Sequence, residues 1–140
     1  MPFLRNYDIF ISHAWGYNEA YYRVETLLQA APYFKYRNYS VPIHNPLVDP
    51  GTIVGQARLA ALLDAQIRPT QCVIIIAGMY AAHKYWIDKE ITIAQSYFKP
   101  IIGLIPWGQE RVPVSVQVAA HEMVGWNTNS IVSAVRRLAL

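Results

Sequence analysis

The run Cys72-Val73-Ile74-Ile75-Ile76-Ala77 decides the fold. It is apolar throughout and mostly β-branched, so as a strand it leaves no face for water. It is also far shorter than the roughly 18 apolar residues that a membrane span requires. A strand buried on both faces belongs to a parallel sheet with helices covering each side. Cys72 is the chain's single cysteine. It forms no internal disulfide, is expected as a small buried strand residue, and fits a reducing cytoplasm.

Working outward, strand and helix patterns alternate. Upstream, Tyr7 to Ser12 is a short apolar strand. Asn18 is placed to cap a helix with an inward stripe of Ala20, Val24, Leu27 and Ala31, which Pro32 ends. Tyr39 to Ile43 reads as a weaker second strand, followed by a loop marked by Pro46, Pro50 and Gly51. Ile53, Ala57, Ala60 and Ile67 then recur at helical spacing, with Leu59, Leu62 and Leu63 widening the face and Pro69 closing it. Downstream, a helix over Lys84 to Tyr97 presents Ile87, Ile91, Ala94 and Phe98 on one face. Ile101 to Ile105 is a strand, Met123 to Gly125 a short fifth one, and Thr128 to Leu138 a final helix with Ile131, Val135 and Leu138 inward.

Right-handed crossovers restrict such a pattern to doubly wound topologies. Five short strands fit a three-layer flavodoxin-like α/β fold with a parallel sheet in the order 2-1-3-4-5. The length of 140 residues allows one domain, residues 1–140, with a sizeable core. Charged residues are only 15% of the chain, and the formal charge of +3 is scattered without a basic stripe, so no nucleic-acid partner is expected. The N-terminus has no signal-peptide design and no stretch is long and apolar enough for a membrane span, which implies a soluble cytoplasmic protein with no membrane partner.

In a sheet of this order ligands bind beyond the carboxyl ends of strands 1 and 3, where the topology switches direction. That rule selects the loops Ser12 to Asn18 and Gly78 to His83. The first reads Ser12-His13-Ala14-Trp15-Gly16-Tyr17-Asn18. It supplies a hydroxyl, an imidazole and an indole, with small residues that permit close backbone approach. A polar turn with a capping residue is the plainer interpretation, and it weighs most for Ser12. The second loop leads into Trp86-Ile87-Asp88-Lys89-Glu90. At 100° per residue, Glu90 lies about 60° off the Ile87/Ile91/Ala94 stripe, on the helix shoulder, with Trp86 one turn earlier on the same flank. A surface carboxylate in the N-terminal half of a helix is the plainer interpretation here; the position beside the ligand edge favours a functional one. The expected site has Glu90 as its catalytic residue and Ser12, His13, Ala14, Trp15, Asn45, Tyr80 and Trp86 as substrate-binding residues. Trp107 and Trp126 follow strand ends as candidate structural lids. His13, His44, His83 and His121 show no metal-ligand spacing, so no metal is expected. A Gly-rich dinucleotide fingerprint and a Ser-centred nucleophile elbow are both missing from the sequence.

The segment Tyr7-Asp8-Ile9-Phe10-Ile11-Ser12-His13 resembles the first box of TIR domains. Asp49-Pro50-Gly51 falls where the second box has a similar turn. The stretch from Ile76 through Met79-Tyr80 to Trp86 and Glu90 resembles the third-strand region, where the family has a tryptophan four residues before its catalytic glutamate. Lys99-Pro100-Ile101-Ile102-Gly103 and Gly125-Trp126-Asn127-Thr128 are similar to the prokaryotic branch that includes the sensor of Thoeris anti-phage defence. The resemblance covers nearly the whole chain. It departs at Ile87, where many members have cysteine, and at Val48-Asp49, which lacks the usual arginine.

The resemblance implies an enzyme that cleaves the nicotinamide–ribose bond, with NAD as substrate and no permanently bound cofactor. It further implies an ADP-ribose-derived signal, cyclic or conjugated, that activates a downstream effector, and self-association or pairing with other TIR domains. A carboxylate at Glu90 suits this chemistry, because the reaction builds an oxocarbenium-like ribose. The competing readings are a non-catalytic TIR-like adaptor and a nucleoside deoxyribosyltransferase-like enzyme on the same fold. A phospho-receiver is disfavoured because strand 3 ends in Ala77-Gly78 with no aspartate, and a flavodoxin because the first loop has few hydroxyls.

Overall fold

The strand Cys72–Ile76 lies at the middle of the sheet, and all five of its residues are buried. A computed structural model describes residues 5–12, 19–39, 53–76, 84–105 and 114–140. The elements run β1 (Asn6–Ile11), α1 (Glu19–Gln29), β2 (Lys35–Asn38), α2 (Ile53–Ile67), β3 (Cys72–Ile76), α3 (Lys84–Ser96), β4 (Ile101–Leu104), α4 (Val114–Ala119), β5 (Glu122–Val124) and α5 (Thr128–Leu138). The sheet order is β2-β1-β3-β4-β5 and every pairing is parallel. This is the flavodoxin-like arrangement, with β1 and β3 adjacent in the centre.

The core follows from the strands that have neighbours on both edges. Ile9, Phe10 and Ile11 of β1, all of β3, and Ile101, Ile102 and Leu104 of β4 are buried. Helices cover the two faces: α1 packs with α5, and α3 packs with both α2 and α4. Val24 and Leu28 of α1, Leu63 and Ile67 of α2, Ile87, Ile91 and Ala94 of α3, and Ile131, Val132 and Val135 of α5 point inward. Among the described residues no helix is long and apolar enough to cross a membrane.

Several elements differ from the sequence reading. The second strand is Lys35–Asn38 rather than Tyr39 to Ile43. It pairs only with β1, so an alternating polar pattern suffices. It is held by Arg37, whose Nε donates to Asp8 at 2.6 Å, and by the stacked rings of Tyr7, Phe34 and Tyr36. Of the earlier range only Tyr39 is described, and its amide still donates to the Ile9 carbonyl at 2.8 Å. On α2, Ala57 is exposed, and the inward face is set by the larger Leu63 and Ile67. On α1, Leu28 takes the fully buried position and Leu27 is half-buried.

Phe98 is 87% exposed instead of inward, because α3 ends before it. Its φ is 55°, the Lys99 amide donates to the Ala94 carbonyl at 2.9 Å, and the Phe98 amide donates to Gln95 at 3.1 Å. These two bonds form a Schellman closure with a non-glycine residue in the left-handed position. The short helix α4 was not foreseen.

Candidate active site

Glu90 is 3% exposed, in the middle of α3. It lies three residues after Ile87 and four before Ala94, both fully buried, so it belongs to the inward face. The expected shoulder position is therefore corrected. α3 packs against both α2 and α4, and a helix with neighbours on two flanks buries a wider arc than one apolar stripe defines.

Ser12 lies one residue beyond β1 and is 0% exposed. Its amide donates to the Ile74 carbonyl of β3 at 2.9 Å, which fixes it at the carboxyl end of the β1–β3 pair. That junction is the topological switch point of the sheet.

The electrostatics of this corner are unusual. Glu90 Oε2 and Ser12 Oγ are both buried without a hydrogen-bond partner. Burial pushes the Glu90 carboxyl up to about 8, against the smaller downward pull of the Ser12 hydroxyl. Orphaned buried polar atoms are uncommon in folded proteins and mark sites where a ligand or water completes the set. A helix carboxyl that burial holds toward its neutral form is a candidate acid or base.

Of the expected site, Ser12 and Glu90 are among the residues described in full, and both are buried. Trp86 lies in the first turns of α3, one turn before Glu90, and its side chain is outside the described set. His13, Ala14, Trp15, Asn45 and Tyr80 lie outside the described residues altogether, as do His44, His83 and Trp107. Trp126 secures a strand end, its Nε1 donating to the Ile105 carbonyl at 2.6 Å. His121 has a structural part as well, since its Nδ1 accepts the Ile101 amide at 3.0 Å. The sequence reading placed Ser12 and Glu90 in one expected site but did not foresee that both would be buried. The signal available for it was positional: Ser12 ends the strand beside which the Glu90 helix begins.

Two open depressions on the described surface, of about 360 and 420 Å3, flank α5. Asn129, Ser133 and Arg137 border both, and neither contains Ser12 or Glu90. Glu122 lines the 420 Å3 depression; its Oε1 accepts from Arg137 at 2.8 Å and its Oε2 is buried without a hydrogen-bond partner.

The family model described as "Thoeris protein ThsB, TIR-like domain" matches residues 10–111. The chain belongs to this family. The matched region runs from within β1 past β4 and includes both Ser12 and Glu90. Membership in the ThsB TIR-like family ties the chain to Thoeris anti-phage defence. No curated protein matches it.

Proposed function

We propose that this ThsB-like chain processes NAD, with Glu90 as the carboxyl that assists cleavage of the nicotinamide–ribose bond. The observation that carries the proposal is the burial of Glu90 beside Ser12 at the switch point, with its ionisation raised to about 8. At neutral pH the carboxyl is therefore mostly protonated. The nicotinamide ring of NAD is a cation, and a cation brought into a dry site favours the ionised carboxylate. The substrate thus generates the charge that its own reaction needs. As the glycosidic bond breaks, nicotinamide leaves with the bonding electrons and positive charge develops on the ribose. A carboxylate already in place stabilises that charge without solvent reorganisation.

The ADP-ribosyl fragment is then captured by water or by another nucleophile, giving ADP-ribose or a cyclic or conjugated signal. Such a signal acts on a downstream effector in the cytoplasm, and self-association with other TIR domains belongs to the same proposal. NAD is a substrate in this scheme, and no resident cofactor takes part.

The test is incubation of the purified chain with NAD, with and without a phage lysate, read by mass spectrometry. Nicotinamide release is expected, together with an ADP-ribose-derived product. Glu90→Gln is expected to slow release about 100- to 1000-fold while the domain stays folded. Full activity in Glu90→Gln removes Glu90 from the chemistry. Inactivity of the wild type under triggering conditions favours an adaptor.

A further inference from the structure

The 360 Å3 depression beside α5 has two kinds of lining. Ala31 and Pro32, just after α1, and Val132 of α5 make it apolar on one side. Asn129, Ser133, Arg136 and Arg137 of α5 make it polar on the other, and all four are exposed. Asn129, Ser133 and Arg137 recur every four residues, so they share one face of the helix. Among the described residues no carboxylate lines this depression, and its charge is that of two guanidiniums.

Arginines in the last turn of a helix ordinarily offset its dipole. These two are engaged with other elements instead. Arg136 lies over the Phe34 ring, 5.6 Å from its centroid, and donates to the Tyr33 carbonyl at 3.3 Å. Phe34 is itself stacked between Tyr7, at 5.3 Å, and Tyr36, at 5.8 Å, and the Tyr36 hydroxyl donates to Glu25 at 3.1 Å. Arg137 meets Glu122 through one nitrogen, at 2.8 Å from Oε1, and Oε2 takes no part. Neither guanidinium therefore closes a two-pronged pair with a carboxylate, and each keeps N–H donors for another acceptor. A guanidinium that its neighbours already orient gives up little freedom when an anion binds.

We propose that this depression is a second binding site, which takes the diphosphate group of a small phosphorylated molecule. Arg136 and Arg137 hold the anion, and Ser133 and Asn129 add neutral donors. The planar fork of arginine matches phosphate oxygens with parallel hydrogen bonds, and two forks on successive residues suit two linked phosphoryl groups. A volume of 360 Å3 is that of a small-molecule site rather than a protein-docking face. The apolar side formed by Ala31, Pro32 and Val132 offers a surface for the rest of an esterified ligand. Neither Ser12 nor Glu90 lines the depression, so the proposal stands whether or not Glu90 acts on NAD.

The test titrates the whole chain with inorganic pyrophosphate and with ADP, followed by backbone amide NMR and by calorimetry. The amide signals of Asn129, Ser133, Arg136 and Arg137 should shift, in the wild type and in Glu90→Gln alike. Arg136→Gln and Arg137→Gln should each weaken binding about tenfold or more. Arg136→Lys, which keeps the charge and loses the fork, should recover only part of that loss. Arg68→Gln removes the same charge from an exposed position outside the depression and should leave affinity unchanged. Shifts with both probes assign the site to a diphosphate carried on a larger molecule; shifts with pyrophosphate alone assign it to the free anion. Shifts confined to the surroundings of Ser12 and Glu90 overturn the proposal, as does the failure of both probes to bind. Equal weakening by Arg68→Gln overturns it too, by reducing the attraction to net charge. If Arg136→Gln does not fold, Arg137→Gln decides, since its side chain is 56% exposed, and unchanged affinity in that variant overturns the site.

Discussion

Glu90 lies one turn beyond Ile87 on α3, and the two share one sealed face, at 3% and 0% exposure. An ionisable group has taken a place that periodicity assigns to core. Its carboxyl is raised from 4.5 to about 8, so the fold favours the neutral form. The sign follows from linkage. The stabilisation is complete below pH 4.5 and is lost as pH rises to about 8. Glu90→Gln cannot ionise and should escape this loss. Thermal melts across that range should show the variant gaining on the wild type as pH rises, at no more than about 1.4 kcal/mol per pH unit. Parallel curves for the two proteins would contradict the buried acid.

Phe98 should be improved by glycine. Its ring is 87% exposed and contributes little packing, while its φ of 55° places a Cβ in a strained conformation. Phe98→Gly should raise stability by about 1 kcal/mol in urea denaturation. Phe98→Ala, which keeps the Cβ, should show no such gain; an equal gain would locate the benefit in removal of the ring.

Gly103 has the opposite constraint. It pairs with Met123 across β4 and β5, and a Cβ there would run into the Met123 sulfur and lie 3.3 Å from the Ala120 Cβ. Gly103→Ala should destabilise the domain by about 1–3 kcal/mol. Adding Met123→Ala opens the space, so the double variant should lose less than the sum of the single losses. Strict additivity in chemical denaturation would show that the two positions do not collide.

Asn127 starts α5 by accepting the Ser130 amide at 2.8 Å. Asn127→Ala should cost about 1 kcal/mol, measured by thermal or urea unfolding. Asn127→Asp retains the acceptor and adds a charge suited to a helix N-terminus, so it should hold stability. Equal losses in both variants would show that the side-chain oxygen is not the source of the effect.

The central sheet was legible because β3 is apolar on both faces, which only a covered parallel sheet explains. α5 was legible to the residue because Ile131 and Val135 repeat on one face between Asn127 and Leu138. The edge strand was not. Lys35–Asn38 alternates polar residues and is held by Asp8–Arg37 and ring stacking, which leave no apolar run. α4, six residues long, is too short to express a helical period. Glu90 was singled out by its helix following the loop expected at the sheet's carboxyl edge, but its depth was not foreseen, because an angle on a helical wheel does not tell how many neighbours close around it. Ser12 was recognised as a strand-end hydroxyl, and its full burial at the end of the paired β1 and β3 was not legible from its place in the sequence.

The adjacency of β1 and β3 also sets when in the life of the chain this corner exists. Parallel neighbours cannot close as a hairpin, and the intervening β2 and α2 must be laid down first. During synthesis, Ser12 leaves the ribosome long before Glu90 and waits without its counterpart. In any chain whose β3 has not docked, Glu90 is an ordinary hydrated carboxylate. The buried, neutral form of Glu90 is therefore absent from nascent and partly folded molecules, and a cell that makes this protein meets it only after the sheet centre has formed.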